Sequence, residues 1–192
     1  MPWIVAKAMA GLAFQLGHYD VAALLLVGFC FFLRSMEFLT LPIHNVVVNT
    51  TTGQVVITLE KTKTSKQFQQ SLVLRHSGLA RILQRCLQHL PNQGPIWTAT
   101  PRVFRDCFTR LLEHFSLHSF GFSLYSIRRG GATHFYTATR DLHYVTLQGR
   151  WKDVRTARIY LDDARATLIK LSFPPPVSHH LATTASFFTS FK

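Results

Sequence analysis

From Val21 to Leu33 the chain runs thirteen residues without a charged, amide or hydroxyl side chain. A helix of that length rises about 20 Å, whereas a bilayer span takes about 20 residues. Arg34 and Glu37 follow directly. The stretch therefore predicts a helix that is apolar on every side and enclosed within a protein core rather than a membrane. Enclosing it takes a sizeable domain. A chain of 192 residues with 47% hydrophobic side chains has the material for one domain, with or without a tail, and lacks the composition of a disordered chain.

The sequence on either side supplies the neighbours. Residues 2–16 read as a helix, and His18-Tyr19-Asp20 interrupts it, with Asp20 placed to cap the apolar helix that runs to Arg34. Ser35–Thr40 is a short helix stopped by Pro42. The pattern then changes period. Val46–Val48 and Gln54–Leu59 are rich in β-branched residues around the turn Thr50-Thr51-Thr52-Gly53, and Ser71–Leu74 supplies a third strand after the basic connection Lys61–Lys66. From Ser77 the chain is helical again. Helical spacing runs through Leu79, Ile82, Leu83, Leu87 and Leu90, then through Val103, Phe104, Phe108, Leu111, Leu112 and Phe115 after a Thr100-Pro101 start. Further helices are expected over 126–139, over 141–147 up to Gly149, and from an Asp153 cap through Tyr160. The expected fold is α+β, mainly α-helical with a small three-stranded antiparallel sheet. It occupies residues 1–173, and Pro174-Pro175-Pro176 marks the start of an extended or mobile tail, 174–192.

Charge narrows the partners. Lys and Arg number 21 against 9 Asp and Glu, a net charge of +12 and a pI near 10.3. That balance favours a polyanion, with nucleic acid first, through long-range attraction and counterion release. Cys30, Cys86 and Cys107 are odd in number, far apart and without a C-x-x-C pair. They read as small buried hydrophobes in a reducing compartment, not as zinc ligands or a disulfide framework. No secretory signal is visible at Met1–Lys7. His114 and His118, four apart on one expected helix, have no evident third metal ligand, and His179-His180 reads the same way. Gly130-Gly131 lacks the surroundings of a nucleotide loop.

Several residues together point to phosphodiester chemistry. Cleaving such a bond without a metal requires neutralised non-bridging oxygens, an aligned nucleophile and a proton for the leaving oxygen. Arginine suits the first task, since its planar fork meets two oxygens and keeps its charge. Arg34 is placed at the end of the buried helix with Glu37 at i+3 as a partner. Arg128 is placed at the start of a helix, where backbone N–H groups also favour an anion. Lys61, Lys63 and Lys66 crowd a β-turn, from which a flexible lysine can swing to a phosphate. A phenol with a free pKa near 10 is a weak nucleophile, but a phenolate beside two guanidinium groups is stabilised enough to be usable.

In combination these residues resemble the tyrosine recombinase (phage-integrase-type) family, over roughly residues 20–170. Leu33-Arg34-Ser35-Met36-Glu37-Phe38-Leu39-Thr40-Leu41 is similar to its first-arginine box, and Lys61-Thr62-Lys63-Thr64 to its β-hairpin lysine segment. Tyr125-Ser126-Ile127-Arg128-Arg129-Gly130-Gly131-Ala132-Thr133 is similar to its His-x-x-Arg box. Gly149-Arg150-Trp151 and Thr156-Ala157-Arg158-Ile159-Tyr160 are similar to its last two elements, with the usual separation of Trp151 from Tyr160. The style of these boxes is that of recombinases carried by eukaryotic mobile elements.

The resemblance implies a mechanism that uses no cofactor, neither metal nor ATP. Tyr160 attacks a DNA phosphate, a 3′-phosphotyrosyl bond forms, a 5′-hydroxyl leaves, and another strand's 5′-hydroxyl reverses the step. Arg34 and Arg128 clamp the phosphate. Lys63, with Lys61 as second choice, protonates the leaving oxygen, and Trp151 buttresses the site. Lys61, Lys66, Arg129 and Arg150 are further candidate DNA contacts, and Glu37 is a structural residue beside the site. The implied partners are double-stranded DNA and other copies of the chain, a tetramer on DNA, with C-terminal segments such as Ser186–Phe191 docking on neighbours. The implied location is intracellular and DNA-associated, in the nucleus if the host is eukaryotic.

Two departures stand out. Tyr125 stands where the family usually has histidine; a phenol donates a hydrogen bond but is a poor base near neutrality, which implies slower chemistry. The helical DNA-gripping domain that usually precedes the catalytic one is missing ahead of residues 2–16, which implies an isolated catalytic half or a piece of a larger product. The alternatives are a catalytically inactive relic that only binds DNA and a type IB topoisomerase-like enzyme.

Overall fold

The computed structural model describes residues 1–60 and 70–187. The elements are α1 (Trp3–Gln15), α2 (Tyr19–Cys30), α3 (Ser35–Leu39), β1 (Val46–Asn49), β2 (Gln54–Leu59), β3 (Gln70–Arg75), α4 (Ser77–Gln88), α5 (Pro101–His114), α6 (Leu124–Thr139), α7 (Leu142–Gln148), α8 (Val154–Tyr160), α9 (Asp163–Leu171) and α10 (Pro175–Ser186). Short 3-10 turns lie at Ile43–Asn45 and His118–Phe120. The fold is the expected α+β class, mainly helical with one small sheet. Among the described residues no helix is long and apolar enough to cross a membrane.

Helix α2 is the axis of the core. Every residue from Val21 to Cys30 is buried, and α1, α3, α4 and α6 pack around it. The helix is shorter than the apolar run. Phe31 caps it, and Phe32 takes a left-handed conformation, φ 50°. Arg34 therefore does not end the buried helix as expected; it is the N-cap of α3. Asp20 is likewise not the N-cap of α2 but its second residue, where its Oδ1 accepts from the Val21 N–H at 2.8 Å. Burial pushes the thiols of Cys30 and Cys86 up to about 12, as suits inert core cysteines.

The sheet has the order β1-β2-β3, antiparallel throughout, with Val46 opposite Ile57 and Ile57 opposite Leu72. Alternation along β2 buries Val55, Ile57 and Leu59, the period-2 pattern expected when one face meets a core. The connection bearing Lys61, Lys63 and Lys66 leaves the sheet at the Leu59–Gln70 end and lies outside the described residues.

Helix α6 carries two of the expected site residues. Ser123 caps it, with the Ser123 N–H donating to Ser126 Oγ at 3.0 Å. The helix thus starts before the expected Ser126, which puts Tyr125 in the first turn and Arg128 in the second, deeper in the protein than expected. The approach of α6 to α2 depends on Gly131: a Cβ there would lie 1.9 Å from the Phe29 carbonyl oxygen. The obstruction is backbone, not a mobile side chain. Gly131→Ala should therefore cost about 2 kcal/mol after its gain in helix propensity, read as a melting point lower by roughly 5 °C.

The C-terminal segment differs from the expectation of an extended tail. Pro175 and Pro176 open α10 as its first residues, where a missing N–H costs nothing. Leu181 and Ala185 are buried in the main core, α10 packs on α1, and Phe187 meets Phe14 with ring centroids 5.7 Å apart. Small and apolar residues spaced along 177–185 supply the inward face; the proline run reads as a helix start rather than a boundary. Residues 188–192 lie outside the described residues. His114 and His118 are not on one helix face, because α5 ends at His114 and His118 opens a 3-10 turn. Among the described residues no cluster of three His, Cys, Asp or Glu could hold a metal ion.

His134 stacks near Trp3 and Phe29, with centroids 5.8 and 6.0 Å away. Burial, then the charges of Lys170, Lys7 and His76, lowers it from 6.5 to about 4. Below pH 6.5 the unfolded chain takes up this proton and the folded protein does not, so stability falls as pH drops from 6.5 towards 4. In thermal melts across that window, His134→Phe should flatten the decline relative to the parent.

Candidate active site

Arg128 is the centre of the site and is only 2% exposed. Its Nη1 donates to the Phe32 carbonyl, and its Nη2 to the Gly149 carbonyl at 2.7 Å. Both acceptors lie where helical bonding fails: Phe32 is itself left-handed, and Gly149 precedes Arg150, another non-glycine residue at φ 55°. Such conformations cost on the order of 1–3 kcal/mol each and tend to mark functional sites. Among the described residues no carboxylate pairs with Arg128. Burial, then the charges of Arg150 and Arg34, lowers it to about 10, which still leaves a cation at neutral pH.

Glu37 joins the other two arginines. Its Oε1 accepts from Arg34 Nη1 at 2.7 Å, while its Oε2 accepts from the Arg34 backbone N–H and from Arg150 Nη2, each at 2.7 Å. Glu37 and Arg150 side chains are each 8% exposed, and the Arg34 side chain is 54% exposed. The expected Arg34–Glu37 pair is therefore present, but Arg34 approaches the site from its rim, not inward from a buried helix end. Arg150, expected as a DNA contact, is buried against Glu37. Burial alone would raise the Glu37 carboxyl, yet Arg150 and Arg34 hold it below the usual carboxylate value. Three guanidinium groups against one carboxylate leave two positive charges uncompensated.

Tyr160, the last residue of α8, lies against this cluster. Its ring centroid is 5.4 Å from Arg128 Cζ and 4.7 Å from that of Trp151, while the Trp151 ring is 4.7 Å from Arg128 Cζ. The guanidinium is thus flanked by an indole and a phenol. Asp153 caps α8, accepting from the Thr156 N–H at 2.7 Å, and Thr133 Oγ1 donates to the Tyr160 carbonyl at 3.2 Å. Gly149 is needed here, since a Cβ on it would lie 1.8 Å from the Trp151 ring. The Tyr125 ring meets that of Tyr160 at 5.7 Å and 43°. Burial acts to raise the Tyr160 phenol, but the Tyr125 hydroxyl, the Trp151 indole N–H and the charges of Arg128 and Arg34 outweigh it and lower the phenol below 10. The indole N–H acts there as a nearby dipole, because it makes no hydrogen bond of good geometry.

The buried polar atoms left without a hydrogen bond are concentrated here. Of the buried side-chain atoms without a partner among the described residues, Arg128 Nε, Arg150 Nε and Nη1, Trp151 Nε1 and Gln148 Nε2 belong to this region, and all are N–H donors. Native interiors rarely leave such groups unpaired. A cluster of donors with no unpaired acceptor, carrying excess positive charge, is chemically suited to an anion.

The structure brings Arg34, Glu37, Tyr125, Arg128, Arg150, Trp151 and Tyr160 together. Arg129 is paired with Asp162 at 3.2 Å. Lys61, Lys63 and Lys66 lie outside the described residues. The sequence reading missed Phe32, Gln148, Thr133 and Asp162. Phe32 and Gln148 carry no local signal, but Asp162, which accepts from the Arg165 N–H at 3.1 Å, is a legible helix cap for α9.

Neither a protein-family model nor a curated protein sequence matches the chain. Solved structures do. The XerH site-specific recombinase bound to difH substrate, a pre-cleavage complex, matches with a TM-score of 0.67 at 17% identity, over 90% of this chain and 53% of that one. XerH bound to palindromic difH substrate, a post-cleavage complex, matches at 0.64 and 18% identity, over 83% of this chain and 48% of that one. XerA recombinase matches at 0.63 and 14% identity, over 91% of this chain and 65% of that one. The chain thus has a fold like that of the tyrosine recombinase catalytic domain, and it spans about half the length of the XerH chains.

Proposed function

We propose that this chain breaks and rejoins DNA strands by site-specific recombination through a 3′-phosphotyrosyl intermediate. One observation carries the reading: the Tyr160 phenol packs on Trp151 and over Arg128, against buried N–H donors and uncompensated guanidinium charge. A phosphodiester enters as a monoanion and becomes a dianion when a fifth oxygen adds, so a site with two excess positive charges favours the transition state over the ground state. Tyr160 Oη, its proton given up to water, attacks phosphorus, the bond from phosphorus to the 5′ oxygen breaks, and that oxygen takes a proton from Lys63 or Lys61. Attack by a 5′-hydroxyl on the phosphotyrosine reverses the step and frees the phenol. Arg34 and Arg128 bind the non-bridging oxygens, and the Trp151 indole N–H adds a donor. The Tyr160 ring turns away from Arg128 to admit the phosphate, because the guanidinium is covered as it stands.

The partner is duplex DNA, recognised first through the net charge of +12, and the chain works as several copies on DNA, within the cell and in the nucleus of a eukaryotic host. The XerH complexes with difH DNA support a DNA partner for this fold. A mobile-element origin fits the style of the boxes.

A second reading, a DNA-binding relic, is favoured by Tyr125: its phenol is raised by burial and by Tyr160, so it is no base near neutrality. Nicked duplex that loses its short 5′-hydroxyl strand separates the two. An active chain becomes covalently attached and migrates as an adduct under denaturing conditions; a binder gives only a salt-sensitive mobility shift. Supercoil relaxation without joining of two sites would indicate topoisomerase action instead.

A further inference from the structure

Tyr125 stands where the resemblance predicts a histidine, and its surroundings assign it a different task. The two phenols touch, with ring centroids 5.7 Å apart, but they do not sit in equal fields. Tyr160 packs on Trp151 and over Arg128, which pairs with no carboxylate among the described residues. Tyr125 is 51% exposed, and its other neighbouring cation, Arg129, is already paired with Asp162. When one of two touching phenols ionises, the charge settles where positive charge is uncompensated and water is scarcer, which is Tyr160.

We infer that Tyr125 is a positioning residue that donates its O–H to the Tyr160 oxygen as that oxygen loses its proton, favouring the phenolate of the nucleophile. Resting on the phosphotyrosyl reading above, this deepens it: the donor readies the attacking oxygen before DNA arrives, instead of taking a proton from it. Among the described residues the charged groups that bear most on the pair are Arg34, from the start of α3, and Arg128 and Arg129, both on α6; all three are cations and favour the ionised form. The directions agree with this division, Tyr125 raised and Tyr160 lowered.

The test is a pH titration of the tyrosine ring carbons by NMR, with the chain labelled at tyrosine Cζ and no DNA present. Tyr160→Phe and Tyr125→Phe assign the two resonances, and both variants keep their rings. The lowest-titrating phenol should vanish in Tyr160→Phe. In Tyr125→Phe the midpoint of Tyr160 should rise by about one pH unit, roughly tenfold in acidity, as loss of one hydrogen bond to a charged oxygen implies. An unmoved Tyr160 midpoint, or disappearance of the lowest-titrating phenol in Tyr125→Phe instead, overturns the inference. Failure of DNA cleavage with this titration intact would refute the strand-exchange reading alone.

Discussion

Tyr160→Phe should abolish the covalent adduct on nicked duplex while leaving the mobility shift of the same DNA unchanged. The substitution removes one oxygen and nothing else. The ring still packs on Trp151 at 4.7 Å and over Arg128 at 5.4 Å, and the Tyr160 carbonyl still accepts from Thr133, so α8 stays in place and binding through arginines is retained. What is lost is the only atom proposed to bond to phosphorus. No residual rate is expected, because covalent catalysis has no substitute for an absent nucleophile. A labelled strand resolved on a denaturing gel reads the outcome. An adduct that persists in Tyr160→Phe would move the nucleophile elsewhere, with Tyr125 the first candidate because its ring is in contact with that of Tyr160.

Arg128→Ala should do double damage. Two buried backbone carbonyls, of Phe32 and Gly149, lose their donors, and each unsatisfied group costs about 1–3 kcal/mol. A total near 3 kcal/mol, visible as a melting point lower by roughly 10 °C, comes with a fall in adduct formation of about 100- to 1000-fold from lost transition-state stabilisation. Arg128→Lys separates the two effects. An ammonium restores the charge but not the planar fork that meets both carbonyls, so it should recover part of the stability and less of the rate. Thermal melts and single-turnover adduct formation read the two separately. Full activity in either variant would remove Arg128 from the site's chemistry.

The same residue explains why the site tolerates such poor local hydrogen bonding. Arg128 is fixed by backbone rather than by a carboxylate, so its charge is not cancelled. Glu37 is spent on Arg34 and Arg150 instead. Burying charge with partial compensation is costly, and the left-handed Phe32 and Arg150 add strain. The proposed return is an anion pocket organised before DNA binds.

The elements up to α8 were legible because each has a local cause. An apolar run too short for a membrane becomes the enclosed α2; β-branched alternation becomes β2; Thr100 and Asp153 each accept from an N–H three residues on. Arg34 with Glu37 was legible for the same reason, since three residues span one helical turn. The misplaced details were those without a local cause. Phe32 ends α2 early, and no propensity predicts a phenylalanine at positive φ; its place is set by packing against Trp151 and Phe135, with centroids 6.3 and 5.2 Å away. The proline run reads as a boundary until α1 offers α10 an apolar partner.

By itself, then, the order of residues determined the helices as far as α8, the three strands, the excess of positive charge and the types of side chain available for chemistry, because all of these depend on neighbours within a turn or a hairpin. Only the tertiary structure decided that Arg150 faces Glu37 across 113 positions, that Arg128 is held by carbonyls from two distant breaks in helical bonding, and that Arg129, its immediate neighbour, pairs with Asp162. Adjacent positions on a helix point about a quarter-turn or more apart, and which of them meets the site depends on the face that Gly131 presses against α2.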